Sequence, residues 1–153
     1  MISFKVSTTI NRPVEVVADA LMNPDNSTYW QMHLERFEVV ESKPGGTGSI
    51  ARLHYMENGR AYIMEDRMIY CEPGKKYISL VSGDVISARV EITLTASGNT
   101  TEVMIEWGGR AKNLMLRLKL PLLRRRLIKQ SENEIETFKE LVETRGSSFN
   151  VTQ

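Results

Sequence analysis

Long hydrophobic runs are missing from this sequence: no apolar stretch approaches the roughly 18 residues that a membrane-crossing helix needs. Cysteine is nearly missing too. The one thiol, Cys71, excludes an internal disulfide and fits a reducing compartment. With no basic-plus-apolar leader at the N-terminus, a cytoplasmic protein is expected. Excess charge of one sign is also lacking: the net charge of +1 argues against general nucleic-acid binding. Histidine is scarce. His33 and His54 lie far apart and have no metal-ligand spacing with each other or with Cys71, so neither a metal nor a cofactor is expected. A surface or core-edge position is the ordinary reading of each. No nucleophile elbow, zinc-protease motif or dinucleotide fingerprint occurs. Lys43-Pro-Gly-Gly-Thr-Gly48 resembles a phosphate-binding loop only superficially. No Lys-Ser/Thr follows it and no helix starts there, so it reads as a connecting loop.

What is present is enough for one domain with a sizeable core: 153 residues, 41% of them apolar and 25% charged. Eight methionines either fill an ordinary core or line an adaptable cavity, because Met fits irregular space. Ile2 to Ile10 alternates as a half-buried strand. Asn11-Arg12-Pro13 ends it and opens a short amphipathic helix, Val14 to Met22. After Asn23-Pro24, Asp25 or Asn26 is expected to cap a second short helix carrying Tyr29 and Trp30. Six strands follow: Glu35–Glu41, Ser49–Glu57, Arg60–Glu72, Tyr77–Ser82, Val85–Ala96 and Thr101–Trp107. Asn58-Gly59 is a two-residue hairpin signal, and Gly108-Gly109 is expected to break the sheet. Hairpin-linked strands in series form a meander with one face to bury.

The only element long enough to cover that face is Leu122 to Arg145. At 100° per residue, Leu123, Leu127, Ile128, Ile135, Phe138, Leu141 and Val142 form one stripe. Two polar residues, Ser131 and Glu134, intrude on it. A helix that only closed a core would not need them there.

This order resembles the START/SRPBCC superfamily, which includes birch-pollen-allergen-like and polyketide cyclase/dehydratase proteins. The matching residues are Ile10-Asn-Arg-Pro13 at the strand-to-helix entry, Asn23-Pro24 followed by Trp30, and Gly48 and Gly59 in the loop and hairpin. Pro73 after the fourth strand, Gly98-Asn-Thr-Thr101, and Phe138-Lys139 with Glu143 in the last helix continue the match. The resemblance implies an α+β helix-grip fold: a seven-stranded antiparallel sheet wrapped around the long C-terminal helix, two short helices between strands 1 and 2, and a cavity in the grip. It implies a domain over residues 1–146, with 147–153 as a flexible tail. It also implies binding, transport or sensing of a small hydrophobic ligand, whether lipid, polyketide or aromatic compound. The alternative is a metal-free aromatase/cyclase- or dehydratase-type enzyme. A monomer or homodimer is expected.

Alternation then assigns the cavity wall. On the fourth strand Tyr62, Met64, Asp66 and Met68 share a face, opposite the solvated Glu65 and Arg67. Val90 and Ile92, then Val103 and Ile105, come from the last two strands, and Leu127, Ser131, Glu134 and Phe138 from the helix. Asp66, Glu134 and Tyr62 are the candidate catalytic groups. Glu134 would be a general acid if buried alone, or a structural ion pair if met by Arg52, Arg89 or Arg124.

From Trp107 to Ser131 the chain has eight Lys/Arg and no Asp or Glu, interleaved with leucines. Leu114–Lys129 reads either as a solvated basic face or as a weak contact for an anionic membrane.

Overall fold

The computed structural model describes residues 1–150. The strands are β1 (Ile2–Ile10), β2 (Leu34–Glu41), β3 (Ile50–Glu57), β4 (Arg60–Glu72), β5 (Lys76–Ser82), β6 (Ile86–Ser97) and β7 (Thr100–Ala111). They form one seven-stranded antiparallel sheet in the order β1-β7-β6-β5-β4-β3-β2. The meander β2–β7 is thus extended by β1 on the free side of β7. Helices α1 (Val14–Met22) and α2 (Ser27–Trp30), with a 3-10 turn at Pro24–Asn26 between them, link β1 to β2. The chain closes with α3 (Leu114–Leu118) and α4 (Leu120–Arg145), and this is the helix-grip architecture.

Asn58 and Gly59 both take positive φ, 51° and 77°, as the two-residue turn between β3 and β4 requires. Gly108-Gly109 does not break the sheet. β1 supplies ladder partners for both glycines, Ser3 for Gly108 and Ile2 for Gly109, so β7 continues to Ala111. Glycine is needed at 109 for another reason: a Cβ there would lie 2.7 Å from the Trp107 ring and 2.9 Å from the Ser87 carbonyl oxygen. Trp107 in turn stacks on Phe4 of β1, with ring centroids 5.4 Å apart. The helical stretch after β7 breaks at Lys119, two residues before Pro121. That proline sits in the first turn of α4, where a backbone N–H has no intrahelical acceptor to lose.

Asn26 stands at the N-cap position of α2, but its side chain makes no capping hydrogen bond. Asn23 caps the 3-10 turn, its side chain accepting from the Asp25 N–H at 3.0 Å. Asn26 is buried and brackets the chain's end. Its Nδ2 donates to the Ala20 and Ser147 carbonyls at 3.0 and 2.8 Å, and its Oδ1 accepts the Phe149 N–H at 2.9 Å. Residues 147–150 are therefore docked, where a flexible tail was expected, because Phe149 is fully buried. Residues 151–153 lie outside the described residues.

The closed core forms around Ile10, Val17, Leu94, Val103, Phe138, Val142 and Phe149. Phe138 packs edge-on against Trp30 and Phe149, with centroids 5.1 and 5.8 Å away. Further contacts pin the C-terminal end of α4. The Asn11 N–H donates to Glu143 Oε2 at 2.8 Å, and the Arg12 guanidinium donates to the Glu143 carbonyl. The buried residues of α4 are Ile135, Phe138 and Val142, all in its C-terminal half, and α3 has none. Phe138→Ala is expected to cost about 3–5 kcal/mol, the range for a fully enclosed aromatic, read from urea denaturation midpoints. A loss well below that range would show unfilled space at Phe138.

Candidate functional site

The N-terminal half of α4 has no fully buried residue, and its side chains on the sheet side, Leu127 and Ser131 among them, are half-buried. Register fixes which residues point in. Ala51 and Leu53, both buried, face Asp66 and Met64 across the β3–β4 ladder, so Met64, Asp66 and, two further on, Met68 point inward. Glu65 and Arg67 point out and are exposed. Met64, Asp66, Val90, Ile92 and Ile105 on the sheet are half-buried, and so are Leu127, Ser131 and Glu134 on the helix. Each of these side chains therefore keeps part of its surface open to solvent. Val103 and Phe138 are different. Each is 2% exposed within the closed core, so they form the floor of the grip rather than an open wall. Two shallow surface depressions, of about 400 and 460 Å³, lie elsewhere. One is on the outer face of α4 at Glu136 and Glu140, the other beside Gly74 and Leu94.

Two carboxylates lie among the half-buried side chains. Glu134 Oε2 accepts the Met32 backbone N–H at 3.0 Å, and the Gln130 side chain hydrogen-bonds it as well. Burial outweighs both bonds and raises its pKa to about 7. Among the described residues no arginine meets it. Arg89 turns outward to Glu91 at 3.1 Å, Arg52 lies on the outer face opposite Glu38 and Glu65, and Arg124 is exposed. Asp66 is also held above the usual carboxylate range by burial, offset in part by a hydrogen bond from Ser79.

Tyr62 sits at the rim, 41% exposed, and stacks on Tyr55 with centroids 5.0 Å apart. Its hydroxyl donates to Glu57 at 3.3 Å. Burial, then the Glu57 charge, pushes its pKa up to about 12. Glu57 also takes the Arg126 guanidinium and lies 3.8 Å from His33. His33 thus belongs to a rim cluster, and His54 pairs with Glu38 at 2.9 Å on the outer face. Cys71 lies near the Lys43–Gly48 loop, where a Cβ at Gly46 would come within 2.8 Å of its Sγ, and burial raises its pKa. The glycine loop packs against β4.

Tyr55 is the residue that alternation could have supplied and that was not singled out. Ala51, Leu53 and Tyr55 share the inner face of β3. Burial raises the Tyr55 pKa strongly, and nearby Glu134, Tyr62 and Asp66 add to the effect. The Met32 N–H carries no sequence signal, because it is a backbone donor brought in by the α2–β2 turn. The assembled site is an apolar trough with two acids and a phenol pair. With its pKa raised to about 7, Glu134 can donate a hydrogen bond as well as accept one near neutral pH.

This arrangement defines a helix-grip protein whose concave sheet face and covering helix are only half-buried where they face each other. Its fold is that of the START/SRPBCC superfamily, as comparison with solved structures establishes. Ara h 8.0201 matches with a TM-score of 0.74 at 16% identity, over 94% of this chain and 98% of that one. The ZhuI aromatase/cyclase from Streptomyces sp. R1128 matches with a TM-score of 0.74 at 13% identity, over 92% and 94%. A START superfamily protein from Mycobacterium smegmatis matches with a TM-score of 0.68 at 12% identity, over 89% and 98%. No protein-family model matches the sequence, and no curated protein matches it.

The raised pKa of Glu134 has a sign in stability. Below its ordinary value of 4.5 the group is protonated in both states. Between 4.5 and about 7 the unfolded chain ionises while the fold keeps its proton, so stability falls across this window. The loss is on the order of 3 kcal/mol before relaxation and water entry reduce it. Glu134→Gln should flatten this slope and be neutral or stabilising at pH 8, as read from urea midpoints at pH 5 and pH 8. A clear destabilisation at pH 8 would mean that the ionised carboxylate is preferred in the fold.

Proposed function

We propose that the protein binds a small hydrophobic ligand, a lipid, polyketide or aromatic compound, beneath the N-terminal half of α4, as a carrier or sensor. The observation that carries this reading is the half-buried apolar surface of Met64, Val90, Ile92 and Leu127, left partly open to solvent between sheet and helix. Apolar surface left partly wet forfeits about 25 cal/mol per Å² of burial, and an apolar ligand recovers it. Glu134, Asp66 and the Tyr55–Tyr62 pair give that ligand an orientation. They would meet a carbonyl or hydroxyl at one end of an otherwise apolar body. The fold shared with Ara h 8.0201 and with the aromatase/cyclase supports a binding site in the grip. The single cysteine and near-zero net charge fit a cytoplasmic setting.

One observation favours a second reading, a cyclase- or dehydratase-type enzyme. Glu134, raised to about 7, is poised to give up or take a proton near neutral pH. In that reading Glu134→Gln keeps ligand affinity and abolishes turnover, whereas in a carrier the variant has no turnover to lose.

Native mass spectrometry of protein purified from its own host should show a bound small molecule. Displacement of 1-anilinonaphthalene-8-sulfonate then reports on the trough. Ser131→Trp is expected to weaken binding of that probe by roughly tenfold or more while leaving the urea midpoint near the wild-type value. Undiminished probe binding by a folded Ser131→Trp protein would exclude this space as the binding site.

A further inference from the structure

We propose that α3 and the first turns of α4 form a docking platform for an anionic lipid surface. The platform is separate from the trough, and the proposal stands whatever the trough holds.

Four apolar side chains project from this stretch: Leu114 is 74% exposed, Met115 72%, Leu118 83% and Leu122 71%. A surface helix ordinarily turns its apolar side inward. In α3 the order is reversed. At 100° per residue Leu114, Met115 and Leu118 fall within one arc and are exposed, while Leu116 lies opposite and is half-buried. The helix is held in this attitude. The Asn113 side chain caps it by accepting the Met115 N–H at 2.8 Å, and Arg117 Nε reaches the Ala111 carbonyl at 3.3 Å.

Cations surround the apolar ridge. On α4, Leu122 shares one side with Arg125, Arg126 and Lys129. Arg126 is engaged by Glu57, and Lys112 donates to Ser82 Oγ and the Gly83 carbonyl at 3.0 and 2.7 Å. Lys119, Arg124, Arg125 and Lys129 form no ion pair among the described residues. No Asp or Glu occurs between Trp107 and Ser131 to neutralise them.

The chemistry selects the occupant. A lipid surface accepts protruding leucines without matching sockets and attracts unopposed cations through anionic headgroups. Nucleic acid would satisfy the cations but gives four bulky aliphatic side chains nothing to enter. A second copy of the chain docked face to face would set cations against cations.

Co-sedimentation with vesicles tests the platform. Vesicles of phosphatidylcholine with about 30 mol% phosphatidylglycerol should pellet the protein, and phosphatidylcholine alone should not. About 0.5 M NaCl should release it, because the screening length shrinks. Replacing Lys119, Arg125 and Lys129 together by Gln should weaken binding by roughly tenfold or more. Leu118→Ser with Leu122→Ser should also weaken it while leaving the salt response in place. These side chains are exposed, so urea midpoints should stay unchanged and verify folding. Equal pelleting with both vesicle types, or undiminished binding by the triple variant, would overturn the proposal. So would an oligomer in size-exclusion chromatography that the same leucine substitutions dissolve, since a second copy would then cover the ridge.

Discussion

Phe138 meets Trp30 and Phe149 with ring centroids 5.1 and 5.8 Å away, and the rest of the grip follows from where that contact lies. It fixes the C-terminal half of α4 against β1 and the first helices. Asn26 and the Arg12–Glu143 contacts lock the same end. A rigid helix held at one end sets the position of its other end by geometry alone, about 1.5 Å per residue along the axis. Four residues, roughly one turn, separate Phe138 from Glu134. Over that turn the helix passes from side chains enclosed on every side to side chains that are half-buried. The trough is the part of the grip that lies beyond the clamp.

That transition also explains the electrostatics of the site. A carboxylate at the border of a closed core loses water without gaining a cation, because the arginines of the facing strands alternate outward. Only dipoles remain to hold it: the Met32 N–H and Gln130 for Glu134, and Ser79 for Asp66. Such bonds offset part of the desolvation but not all of it, so both acids titrate high. A well-packed apolar residue would serve folding better at either position.

Much of the fold was legible in the sequence. Period-2 alternation located the strands, Asn58-Gly59 set a hairpin, and the 3.6-residue stripe picked out α4 as the covering helix. The inward direction of Met64 and Asp66 followed from the same alternation. The misreadings have a common origin in contacts made far along the chain. Gly108-Gly109 looks like a break until β1 pairs with it and the Trp107 ring needs the room. Asn26 looks like a cap until the end of the chain returns to it, 121 and 123 residues later. Periodicity gives a direction for each side chain but not the depth to which it is covered. For that reason Val103 and Phe138 were grouped with the trough, although they belong to the closed core.

The charge order along α4 is the remaining feature that folding alone does not require. Cations crowd its N-terminal half, and five of the six charges from Glu132 to Glu143 are Glu, so the sequence opposes the helix dipole at both ends. Each exposed group of this kind costs a few tenths of a kcal/mol. The aromatic clamp supplies several times that amount from Phe138 alone. The fold is therefore insensitive to what the unclamped half carries. Leu118, Leu122, Arg125 and Lys129 are exposed and consequently not constrained by the core. The helix thus divides into a half whose residues answer to packing and a half that packing constrains less. Glu134 marks the boundary.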